Sequence, residues 1–97
     1  MNQILDALLH SQNDAFGFFD QVFLFGSALR TDAPNDIDIL LVYVTVRPQQ
    51  VNLEKERTKQ ILACKVPDYD LHLTVLSKSE LQQTNFLMKV PHRKIKG

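Results

Sequence analysis

The chain has one cysteine, three glycines and no net charge by formal count. Each scarcity excludes something. A lone Cys64 rules out an intrachain disulfide framework, so a reducing cytoplasm is the expected compartment. Cys64 lies in a predicted helix with no His or Cys pattern around it, which makes it a packing or surface thiol. No apolar run approaches the roughly 20 residues of a membrane helix, and no cationic-then-apolar leader opens the chain, so no membrane association is expected. Neither a Walker Gly-Lys-Ser/Thr nor a Gly-x-Gly-x-x-Gly is present, which removes the P-loop and dinucleotide-binding readings. There is no Gly-x-Ser-x-Gly elbow, and His10, His72 and His92 have no triad context, which argues against a nucleophilic serine.

What is present suits one ordinary globular domain over residues 1–97, with 44% apolar and 23% charged residues. The charge is unevenly spread. Residues 1–40 carry six aspartates against Arg30 alone, a net of −5, whereas residues 41–97 sum to +5. An acidic half suited to cations thus adjoins a basic half suited to phosphate or an acidic partner; solvated helix faces would give the same imbalance.

The expected element order is αβαβαβα. Ile4, Leu5, Leu8 and Leu9 predict an amphipathic helix over about 2–11, and residues 15–19 could add a turn. Phe16, Phe18 and Phe19 read as core plugs, because no basic residues interleave with them as nucleic-acid stacking would require. Residues 21–25 form a short apolar run typical of a buried strand. Gly26 marks its end, and residues 27–30 read as the first turn of a short helix. Turn-forming residues fill 31–35. A second strand is predicted over 37–46 and a helix over 49–65, with Val51, Thr58, Ile61 and Leu62 as its buried stripe. The third strand is predicted over 69–76, followed by a capping box at Ser77 and Glu80 and a helix to about Lys89. Residues 90–97 read as a basic, frayed tail.

Three carboxylates carry the chemistry. Asp36 and Asp38 stand two apart at the start of a strand, so they share a face while Ile37 and Ile39 fill the other. Two carboxylates that close repel each other unless a divalent cation lies between them. Inside an apolar strand such charges are costly, so the pair calls for a function. Asp70 opens a third strand in which Leu71, Leu73 and Val75 line one face and Asp70, His72 and Thr74 the other. If that strand neighbours the second, the three carboxylates can hold two Mg²⁺ ions for displacement at phosphorus, and Asp70 could take a proton from an attacking hydroxyl. Asp68 is read as turn, and His72 as a neighbour of the site. Gly26-Ser27 lets a phosphate approach the backbone and adds a hydroxyl donor, with Arg30 one turn further on.

Phe25-Gly26-Ser27, eight intervening residues, Asp36-Ile37-Asp38 and a later Tyr69-Asp70-Leu71 resemble the signature of the DNA polymerase beta-like nucleotidyltransferase superfamily. The shortness of the chain is similar to that of the minimal nucleotidyltransferases of prokaryotes. The spacer is shorter than is common in those proteins, and Thr31 stands where a glycine often follows the arginine. The resemblance implies an α+β fold, a small mixed sheet flanked by helices. It implies Mg²⁺-dependent transfer of a nucleoside monophosphate, AMP first, from an NTP such as ATP to a hydroxyl acceptor. Gly26, Ser27 and Arg30 would then bind nucleotide, and Asp36, Asp38 and Asp70 would hold metal and catalyse.

The chain lacks the helical domain with which larger relatives hold base and acceptor. A second subunit, a partner protein or a nucleic acid must therefore present the acceptor. Similar minimal proteins often pair with HEPN-domain partners in toxin–antitoxin systems, which makes a protein acceptor the first expectation. The alternative is a non-catalytic module of the same fold that binds a small helical partner. Neither the base of the NTP nor the oligomeric state is readable from the residues, and self-association stays open.

Overall fold

The computed structural model describes residues 3–11, 14–29, 36–44 and 48–97. The elements run α1 (Gln3–Leu9), β1 (Gln21–Phe25), a 3-10 turn (Gly26–Leu29), β2 (Asp36–Tyr43), α2 (Pro48–Lys65), β3 (Asp70–Ser77), α3 (Lys78–Thr84), α4 (Phe86–Lys89) and β4 (His92–Lys96). The strands form one mixed sheet in the order β3-β2-β1-β4. β1 is antiparallel to both of its neighbours, and β2 is parallel to β3. A parallel pair needs a long crossover, and α2 supplies it.

The alternation within β2 and β3 gives the sheet two unlike faces. Val22, Leu24, Ile37, Ile39, Leu41 and Leu71 point to one face, where they pack with Ile4 and Leu8 of α1, Leu62 of α2, and Phe16 and Phe19. This is the principal core. Each large side chain fully buried there contributes about 1.5–3 kcal/mol of transfer free energy. Phe23, Leu40 and Val42 point to the opposite face and form a smaller cluster with Phe25, Leu76, Leu81, Phe86 and Leu87. Asp36 and Asp38 lie on that second face, by the alternation of β2, beyond the end of its apolar cluster.

Several boundaries differ from expectation. α1 is shorter than predicted, and residues 15–19 form a turn outside any helix, with the Phe19 N–H donating to the Phe16 carbonyl at 3.1 Å. Phe16 and Phe19 are nevertheless fully buried, as core plugs should be. Thr58 holds that segment in place: its buried hydroxyl donates to the Ala15 carbonyl at 2.7 Å. β2 ends at Tyr43 rather than near 46, and residues 45–47 lie outside the described residues. The capping box is present, with Glu80 N–H donating to Ser77 Oγ at 3.0 Å and Ser77 N–H donating to the Glu80 carboxylate at 2.9 Å. The single helix expected after it is broken at Asn85, which takes a left-handed φ of 53°. Asn accepts that conformation more readily than most residues do.

The expected frayed tail is the main correction. His92–Lys96 is a strand, antiparallel to β1. Ile95 is 2% exposed within the principal core, and the Lys96 ammonium donates to the Phe16 carbonyl at 2.8 Å. The segment reads as solvated because Ile95 is its one large apolar residue. Its pairing comes from the open edge of β1, a partner far away in sequence.

Candidate active site

The chemistry-bearing residues gather at one end of the second sheet face. β1 runs into the Gly26–Leu29 turn, and β2 starts at Asp36, so the turn and the carboxylates meet where the two antiparallel strands adjoin. Phe25 is in register with Asp38. Gly26 has a φ of +81°, and a Cβ placed on it would run into the Asp38 carboxylate. Glycine is required there twice over, for the backbone conformation and for the approach of Asp38. The Ser27 hydroxyl donates to the backbone carbonyl of Asp36 at 3.5 Å, a long bond that spans the turn and the strand start. Arg30 lies outside the described residues.

On the other side of β2, the parallel register sets Asp70 beside Asp36 and His72 beside Asp38. All four side chains therefore project from one face. His72 Nε2 lies 3.4 Å from Asp36 Oδ2, with the two side chains 58% and 43% exposed. His72 comes to lie beside the carboxylate pair because it stands to Asp70 as Asp38 stands to Asp36. Asp68 is exposed turn, in keeping with its reading. Phe25 and Phe86 meet edge-on, ring centroids 5.2 Å apart, and form an apolar flank to the site.

Burial raises the pKa of the Asp38 carboxyl above its ordinary value, the neighbouring charge of Asp36 raises it further, and His72 opposes the shift. A carboxylate held in that position gains most from a cation. The donors suit a hard divalent ion such as Mg²⁺, which commonly takes one or two protein carboxylates and completes its shell with water and substrate phosphates. Asp36 and Asp38 fit that role. Asp70 stands on the same face, exposed at the start of an edge strand. Among the described residues, no group of three His, Cys, Asp or Glu side chains is drawn together closely enough to hold a metal. Asp36 and Asp38 share one strand, and Asp70 is in register with Asp36 on the neighbouring one.

No family model and no curated protein matches the sequence. The fold, however, has solved counterparts. A crystal structure of the toxin–antitoxin pair MntA-HpeT superimposes with a TM-score of 0.62 at 20% identity, over 96% of this chain and 73% of that one. That structure is of a mutant in which two aspartates, two positions apart, are replaced by glutamate. A candidate nucleotidyltransferase from Sulfolobus solfataricus superimposes with a TM-score of 0.53 at 21% identity, over 84% of this chain and 73% of that one. The chain thus has the fold of these proteins, a four-stranded mixed sheet flanked by helices. No helix among the described residues is long and apolar enough to cross a membrane.

Proposed function

We propose that the chain is a minimal nucleotidyltransferase that moves a nucleoside monophosphate, AMP first, from an NTP to a hydroxyl on a partner protein. The observation that carries this reading is the contact between Gly26 and Asp38. It joins the turn that would cradle phosphate and the carboxylate pair that would hold metal into one continuous site. The fold likeness to a candidate nucleotidyltransferase supports the same reading. The toxin–antitoxin neighbour supports a protein partner, for which a small helical protein of HEPN type is the first choice.

In this scheme Gly26 and Ser27 hold the triphosphate, with Arg30 as a further phosphate contact. Asp36 and Asp38 would hold Mg²⁺, and Asp70, on the neighbouring strand, would become a third ligand by turning toward them. The ion, when bound, neutralises charge on the phosphates and on the leaving pyrophosphate. The acceptor hydroxyl oxygen bonds to the α-phosphorus while the bond from that phosphorus to the bridging oxygen of the β-phosphate breaks. Pyrophosphate carries that oxygen away, and Asp70 accepts the hydroxyl proton.

The test is transfer of label from α-phosphate-labelled ATP, with Mg²⁺, to a co-expressed small helical partner. Wild type should label the partner, and Asp38→Ala should reduce the rate by about 10³-fold, the scale of losing one electrostatic stabiliser of a transition state. Equal labelling by both proteins would remove the enzymatic reading. The second reading, a binding-only module, draws on the exposed, ungathered Asp70. It requires neutralisation of the partner to survive Asp36→Ala and Asp38→Ala.

A further inference from the structure

The two edges of the sheet are built differently. β4 presents His92, Arg93 and Lys94, all exposed, in the manner by which natural sheets deter edge-to-edge association. β3 is an eight-residue edge strand whose central run, Leu73-Thr74-Val75-Leu76, carries no charge and is half-buried. No strand among the described residues covers its outer side. An edge of that length and composition is a template for another strand.

We propose that β3 pairs antiparallel with β3 of a second copy of the chain, joining the two sheets into one of eight strands. The faces of the sheet restrict the register. Side chains directly opposite one another must share a face, so a residue can oppose only one of its own parity. With Thr74 opposite Thr74 of the second copy, Leu73 meets Val75, His72 meets Leu76 and Leu71 meets Ser77. Every apolar residue of the run faces an apolar one or His72, Thr74 faces Thr74, and Asp70 is left beyond the paired run. Moving the centre to Val75 shortens the paired run to residues 73–77 and sets Leu73 against Ser77. Moving it to Leu73 sets Asp70 against Leu76. The Thr74-centred pairing is therefore the self-complementary one.

This arrangement closes. The strand order becomes β4-β1-β2-β3-β3-β2-β1-β4, with a basic strand at each outer edge, and those edges repel further copies. The pairing stands on the edges alone and holds whether or not the chain transfers nucleotides.

Sedimentation of the full chain over a range of concentrations should show a dimer. Thr74→Lys sets two ammonium groups face to face and should raise the dissociation constant by about 100-fold or more. Lys94→Glu should leave the dimer unchanged. In a Cys64→Ser background, Thr74→Cys should be joined into a covalent dimer by a short thiol-bridging reagent, and Lys94→Cys should not; this pair remains informative if Thr74→Lys unfolds. A monomer at every concentration, including one whose β3 edge takes a strand from a different protein, overturns the proposal. So does a dimer that persists in Thr74→Lys without linking at position 74.

Discussion

The two faces of β2 are made by one strand and do opposite things. Ile37, Ile39 and Leu41 are 0% exposed against the helices on one side. Asp36 and Asp38 stand on the other, one of them with a pKa raised by burial and by its neighbour. The apolar face fixes where the strand lies, and that position in turn brings the carboxylates close together despite their repulsion. Stability is thus concentrated behind the site, and the site itself works against the fold.

That division can be broken from either side. The largest expected effect is on the apolar face. Ile39→Ala should cost about 2–5 kcal/mol of unfolding free energy, because the closely packed surroundings can only partly fill the cavity. Denaturant unfolding would show it, and activity per folded molecule should stay near wild type. A large loss of activity in the still-folded fraction would mean that the two faces are not separable. Gly26→Ala comes next, at about 1–3 kcal/mol for a side chain forced into positive φ. Here the Cβ also displaces Asp38, so the proposed nucleotide transfer should fall together with stability. Ser77→Ala removes the cap of α3 and should cost about 0.5–2 kcal/mol without moving the carboxylates. Its signature is a lowered Tm with metal affinity unchanged in calorimetry.

The smallest effect has the opposite sign. In the metal-free protein the Asp38 carboxyl has a folded-state pKa above its ordinary 3.8. Between those two values the native state binds more protons than the unfolded state, so stability falls as pH rises through the window. Asp38→Asn should therefore raise Tm at neutral pH, and the gain should vanish as pH drops below 3.8. A Tm difference that did not change with pH would show that the charge is not the cause. Added Mg²⁺ should raise the Tm of wild type and leave that of Asp38→Asn nearly unmoved.

Much of this division was legible in the residues. The alternation Asp36-Ile37-Asp38-Ile39 declares two faces without any knowledge of what covers them, and Ser77 and Glu80 announce the start of α3. Both are local signals, governed by the periodicity of one element or the reach of one side chain. β4 was not legible, because a strand with one buried apolar residue takes its conformation from its neighbour. The break at Asn85 was hidden as well, since the flanking Leu81, Phe86 and Leu87 suit a continuous helix. As for Asp70, its alternation marked the correct face, but only the strand order could set it beside Asp36. How far its side chain stands from the pair depends on its exposed place at the start of an edge strand.

The late strand also has a consequence in time. β1 is flanked on one side by β2, which follows it closely, and on the other by β4, about 70 residues further along. At the usual ~5–20 residues per second of synthesis, one edge of β1 stays open for roughly 4–14 s after that strand is made. During that interval Phe23 and Leu24 border an unpaired backbone edge with no basic strand to guard it. When β4 arrives it fills the edge and places the exposed cations Arg93 and Lys94 along the new rim. The last strand to form is therefore also the one that ends the nascent chain's exposure to stray strand pairing.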